Sequence, residues 1–277
     1  MEQISEEGFA GAATLRAPVL TVRHGRGRTG GTTMLNFLIE RARIGGRSVL
    51  IGDGDRRNAT LAGLYPPGSP GGASQPETDE TADVKDWIRT LVGRMVELNA
   101  SLVLDLGAGD QALAEACREI DLIAFCEAVG VEPLFIGTMG PDMEDFEHLL
   151  TIFRAGFFST QHTLLVMNEN LVRAGKTPLG AFDKILARPE LIEMDGAGVK
   201  IMRMPRLNYM DQVRQTGLNF YDVAAGKRGK EGRPPDPLCQ FETRSWINAL
   251  EREFKDTWSG SHDGIVRVGE RCSDRSS

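Results

Sequence analysis

Short apolar runs alternate with amphipathic stretches along most of this chain. PVLTVRH (18–24), SVLIGD (48–53), SLVLDL (101–106), PLFIGTMG (133–140), HTLLVMN (162–168) and VKIMRMP (199–205) are brief, rich in branched residues and bounded by turn formers. They predict six buried strands. Between them, TTMLNFLIERARI (32–44), VKDWIRTLVGRMVEL (84–98), ALAEACREI (112–120), MEDFEHLLTIFRA (143–155), NYMDQVRQTGLNFYDVA (208–224) and FETRSWINALEREFKDTW (241–258) carry apolar residues at helical spacing. The first of these ends at Gly45-Gly46, and the last shows a stripe through Trp246, Leu250 and Phe254. Strands alternating with helices predict βαβ units, hence an α/β three-layer sandwich: a mostly parallel sheet with helices on both faces. The expected organisation is a flexible leader (1–16), one domain over 17–258 and a polar tail (259–277). Within the domain, the Pro/Gly/Ser-rich acidic stretch 65–83 predicts a surface or partly disordered loop, and 226–237 a basic loop.

Composition narrows the class. With 277 residues, 41% hydrophobic and 26% charged, the chain has enough core for one large domain. No apolar run has the length of a membrane span, and the acidic start lacks a signal-peptide apolar segment, so the expected compartment is the cytoplasm. A net charge of −7 excludes a generally basic nucleic-acid binder and leaves only local patches. Arg203, Arg206, Arg214, Lys227, Arg228, Lys230 and Arg233 form one such late cluster. It reads either as a solvated surface or as a non-specific DNA contact. Cys117, Cys126, Cys239 and Cys272 show no metal spacing and read as reduced, and the four histidines are scattered.

In a parallel sheet, ligands bind at the carboxyl ends of the strands. The first such loop is Gly25-Arg26-Gly27-Arg28-Thr29-Gly30-Gly31-Thr32-Thr33. Gly25, Gly30 and Thr32 fit the phosphate-loop pattern G-x-x-x-x-G-K-[ST], with Gly31 at the lysine position. Glycines let backbone N–H groups turn inward around an anion, and the following helix adds its positive end. The same residues also read as a plain strand-to-helix turn with Thr32 as cap. Two further strands end in carboxylates: Asp53 and Asp55 in the second loop, Asp105 in the third. Singly each is a turn residue. Together they predict a site with Thr32 and Asp105 around Mg²⁺ and Asp53 or Asp55 orienting water.

RGRTGGTTM, the D-x-D with nearby Asn58, the LVLDL strand, Asn168 in VMN and Pro205 in MPRL follow one another in the order of a known family. Over residues 18–225 the chain resembles the MinD/ParA family of deviant Walker A P-loop ATPases. Within that family it most resembles the divergent members of plasmid stability and conjugal transfer, of the StbB and TraL kind. The resemblance implies a homodimer that sandwiches ATP and Mg²⁺. Arg26 stands where the signature lysine reaches across the dimer, and Asp55 corresponds to the water-orienting catalytic residue. Gly27, Arg28, Thr29, Gly30, Gly31, Thr32, Thr33, Asn168 and Pro205 line the nucleotide, and Thr32, Asp53 and Asp105 lie on the metal side. Both family lysines are replaced here, by Arg26 and Gly31. Three functions follow: a dimerising ATPase switch for segregation of plasmid DNA, conjugation or cargo positioning, associated with nucleoid or plasmid; a non-hydrolysing scaffold for protein or DNA partners; and a small-molecule ligase on the same fold, for which no substrate signature is visible. A membrane anchor is not expected, because the C-terminal segment is polar and poorly periodic.

Overall fold

The computed structural model describes residues 17–23, 25–106, 115, 121–156, 160–173 and 177–259. Seven strands form one sheet: β1 (Val19–Arg23), β2 (Val49–Asp53), β3 (Ala73–Ser74), β4 (Ser101–Asp105), β5 (Glu132–Met139), β6 (Thr163–Asn168) and β7 (Lys200–Met204). Their order is β3-β2-β4-β1-β5-β6-β7, and every pairing is parallel. From β1 the chain runs to one side for β2 and β3, then to the other for β5 to β7. The end of β1 therefore sits where the winding reverses, the usual crevice in such sheets.

Strand alternation sorts the core into two layers. Val103, Ile136, Leu164 and Met202 face one cluster, while their neighbours Leu102, Leu104 and Phe135 face a second and Leu165 a third. The first cluster is covered by α1 (Gly31–Ile44), α2 (Thr60–Leu64), α8 (Met210–Thr216), α9 (Phe220–Ala224) and α10 (Pro237–Ser259). On the opposite face, α3 (Thr81–Glu97) and α4 (Leu122–Val129) cover one cluster. The other lies under α5 (Met143–Arg154), α6 (Asp183–Leu186) and α7 (Pro189–Gly196). Helices thus cover both faces, as the patterning predicts.

α1 is the central helix. Met34, Leu35, Phe37 and Ile39 are fully buried, each stabilising the fold by about 2 kcal/mol through area removed from water. Phe37 stacks on Tyr221 and meets the edge of Trp246, which clamps α1 between α9 and α10. Trp246 also donates from Nε1 to the carbonyl of Pro205 at 2.8 Å, so α10 fastens the loop after β7.

Three differences from the sequence reading have local causes. Within 65–83, Ala73–Ser74 pairs with β2 as the edge strand, with Ala73 buried and the Ala73 N–H donating to the Tyr65 carbonyl. The stretch 208–224 is two helices, because Gly217 takes a left-handed φ of 69° that ends α8, and Asn219 caps α9 by accepting from the Asp222 N–H. α10 begins at Pro237, ahead of the predicted 241, because Asp236 accepts from the N–H groups of Leu238 and Cys239. The leader 1–16, the helix 112–120 apart from Glu115, the tail beyond Ser259, His24, Cys117 and Cys272 lie outside the described residues. Cys126 and Cys239 are buried free thiols.

Candidate functional site

The parallel register aligns three charged residues across the carboxyl edge: Asp53 beside Asp105, and Asp105 beside Arg23. Their parity with Ile51 and Val103 turns all three toward the face covered by α1. The glycine-rich loop arches over them and runs into the first turn of α1.

The loop is braced from below. The Thr29 hydroxyl donates to the Arg26 carbonyl at 2.8 Å and shares a hydrogen bond with Thr138 of β5. Asn168 at the end of β6 donates from Nδ2 to the Thr29 carbonyl at 2.9 Å, and its Oδ1 accepts from the Asn170 N–H. Gly30 sits at φ 93°, and a Cβ there would lie 2.2 Å from Asn168 Nδ2, so only glycine fits. Arg28, exposed at the tip, holds a left-handed φ of 67°, at a cost of about 1–2 kcal/mol for a residue with a Cβ.

Gly30 is the N-cap of α1, and no side chain caps this end among the described residues. Thr32 is therefore not the cap. Its hydroxyl donates to Asp105 Oδ2 at 2.6 Å. The first-turn N–H groups and the positive end of a 14-residue helix thus point toward the loop, with no acidic residue in that turn.

Asp105 is buried and carries two partners, Thr32 and the Arg23 guanidinium at 3.5 Å. Burial raises its carboxyl above the ordinary carboxylate range, while Arg23 and Thr32 pull it back. A hydroxyl and a carboxylate in contact are hard oxygen donors, the set from which Mg²⁺ takes one or two protein ligands and completes its shell with phosphate and water. The pair fits that ion. Among the described residues no group of three or more His, Cys, Asp or Glu could hold a metal unaided.

Asp53 is placed differently. Its oxygens accept from the N–H groups of Ala62 at 2.8 Å and Asp55 at 3.2 Å, so the carboxylate fastens its own loop. Burial, with Asp105 close by, lifts its pKa to about 6. Asp55, half-buried at the rim, caps a short turn by accepting from the Asn58 N–H at 3.0 Å. Pro205 directly follows β7, and its carbonyl accepts from Trp246. Gly27 and Thr33 lie in the loop and the first turn of α1.

Arg26 turns away from the loop centre. Its guanidinium meets Glu144 and Asp145, at the start of α5, at 3.1 Å each. The late basic cluster is also largely paired. Arg203 binds Glu169, Arg206 donates to the Val172 carbonyl, Arg214 lies near Asp211, Lys227 binds Asp222 and Arg228 donates to the Gly232 carbonyl. Lys230 and Arg233 are exposed.

One residue was missed from sequence: Arg23, the last residue of β1. Its side chain is buried at 5% exposure under the loop. It donates to the carbonyls of Arg26 at 2.7 Å and Leu106 at 3.3 Å. A Cβ on Gly31 would lie 2.0 Å from its Nε. The signal was present as a charge at the end of an apolar strand, paired with a glycine at the lysine position.

No family model matches the chain, and no curated protein matches it. Among solved structures, it is similar to the MinD cell division protein of Aquifex aeolicus at 14% identity and TM-score 0.45, covering 86% of this chain and 98% of that one. It is similar to a chain of the MinC:MinD cell division protein complex of the same organism at 13% identity and TM-score 0.46, covering 86% of this chain and 97% of that one. It is also similar to chloroplast FtsY of Physcomitrella patens at 16% identity and TM-score 0.44, covering 84% of this chain and 65% of that one. No helix among the described residues is long and apolar enough to cross a membrane.

Proposed function

We propose that this chain is a nucleotide-dependent dimerising switch that binds ATP with Mg²⁺ beneath the 25–33 loop and hydrolyses it slowly, acting in segregation of plasmid DNA, conjugation or cargo positioning. The observation that carries the reading is the 2.6 Å hydrogen bond from Thr32 to Asp105, at the mouth of an uncapped helix end. In this reading the backbone N–H groups from Gly27 to Thr33 hold the phosphates. Thr32 and Asp105 hold the metal, which when bound neutralises charge on the phosphate oxygens. Asp55, at the rim and already a hydrogen-bond acceptor, orients the attacking water. Asn168 keeps the loop in shape beside the base. Arg26 leaves Glu144 and Asp145 to reach the nucleotide of a second copy. DNA contact falls to the exposed end of the basic cluster, around Lys230 and Arg233, and the compartment is cytoplasmic.

A second reading, the non-hydrolysing scaffold, is favoured by Gly31 and by the ion pairs that hold Arg26 within its own chain. Sedimentation velocity with ATP and with ADP, alongside a phosphate-release assay, separates the two. The switch predicts dimers with ATP and monomers with ADP, and turnover lost in Asp55→Ala. It also predicts that Arg26→Ala weakens dimerisation while leaving nucleotide affinity of the monomer unchanged. A monomer at every nucleotide concentration contradicts the switch. Turnover abolished by Asp55→Ala contradicts the scaffold.

A further inference from the structure

We infer that Arg23 supplies, from the end of β1, the phosphate-binding cation that a P-loop ordinarily carries at the position of Gly31, its ligand being the β- and γ-phosphate oxygens of a nucleoside di- or triphosphate. This deepens the nucleotide reading and rests on it.

Three observations carry it. First, the two positions exclude each other. A Cβ at residue 31 would sit 2.0 Å from Arg23 Nε and 2.7 Å from its Cζ, so a lysine there cannot coexist with the guanidinium as placed. The glycine at 31 is the condition for Arg23 to lie under the loop. Second, the guanidinium keeps an unused donor. Nη1 and Nη2 reach Asp105 and the Leu106 and Arg26 carbonyls, but Nε has no hydrogen-bond partner among the described residues, in a side chain more than nine-tenths buried. A buried N–H left unpaired is costly, and an anionic oxygen in the loop would recover that cost. Third, Arg23 adjoins the anion-binding end of a helix. It lies against the positive end of α1, whose first turn holds no acidic residue, with Asp105 as its ion-pair partner. The unpaired N–H groups of that helix end and the guanidinium beside them form one set of donors for an anionic ligand. Arginine also suits the task, since its planar fork binds one oxygen while keeping bonds to others.

The test is a charge relocation in the full chain, read by isothermal titration with Mg²⁺-ATP and Mg²⁺-ADP, with melting temperature as the folding control. Arg23→Ala is expected to weaken binding about ten- to a hundred-fold, the loss of one charge-assisted hydrogen bond. Gly31→Lys alone is expected to lower the melting temperature, because two cations compete for one space. The double variant Arg23→Ala with Gly31→Lys is expected to recover most of the affinity. Arg23→Lys, which keeps the charge, should bind better than Arg23→Ala; if the alanine variant does not fold, Arg23→Gln takes its place, and a folded Arg23→Gln that binds as well as wild type overturns the inference. If wild type binds and a folded Arg23→Ala binds equally well, the inference is overturned while the nucleotide reading stands. If the folded double variant binds no better than Arg23→Ala, the relocation is likewise overturned. If wild type binds neither nucleotide, the reading beneath it fails first.

Discussion

Two regions of this protein concentrate positive charge, and folding treats them in opposite ways. In the late segment from Arg203 to Arg233, most cations are satisfied by carboxylates or carbonyls of their own chain. Around the first loop, a buried guanidinium and an uncapped helix end meet beside Asp105. The late segment has more basic residues, yet the buried guanidinium nitrogen without a partner among the described residues, Arg23 Nε, lies beneath the loop. A charge cluster read from sequence becomes a binding site only where the fold leaves donors without acceptors.

The sharpest way to break this contrast is Asp105→Ala. It leaves Arg23 as a buried cation without its carboxylate and is expected to lower unfolding stability by about 3–5 kcal/mol in urea denaturation. A loss no larger than that of an exposed pair would mean that Arg23 is not buried as described. Trp246→Phe keeps an aromatic ring against Phe37 and Phe220 but loses the indole N–H and its bond to the Pro205 carbonyl. The expected cost is about 1 kcal/mol, measured the same way.

Asp53 yields an effect that depends on pH. Burial raises its pKa to about 6, above its value of 3.8 in the unfolded chain, so the folded state favours the protonated form. Its contribution is fully favourable below about pH 4 and is lost as pH rises through about 6. Compared with Asp53→Asn, wild type should therefore gain melting temperature as pH falls from 7 to 4. A constant difference would contradict the shift. The smallest stability effect is expected for Lys230→Glu combined with Arg233→Glu: the melting temperature stays unchanged, while filter binding to duplex DNA weakens and its salt dependence flattens if this patch touches phosphates.

Much of this arrangement was legible in the chain. Six of the seven strands announce themselves as apolar runs, and Thr32 and Asp105, which the sequence reading sets around a metal ion, lie in hydrogen-bond contact. What escaped did so for physical reasons. β3 is two residues in a Pro- and Gly-rich stretch, too short to show a period. α4, LIAFCEAV, is apolar on nearly every side and carries no helical stripe. Arg26 meets Glu144 and Asp145 across more than a hundred residues, a pairing that no local pattern encodes. Arg23 escaped because a polar residue at a strand end ordinarily faces solvent. Only the missing Cβ at Gly31 makes room for it.

The most direct test of the central claim is calorimetric titration of Mg²⁺-ATP into wild type and Thr32→Ala. Thr32 sits at the start of α1, so the variant should fold. The account predicts saturable binding to wild type that is strongly weakened in the variant, because the hydroxyl that meets Asp105 is gone. Equal affinity for both proteins, or no binding to wild type, would contradict it.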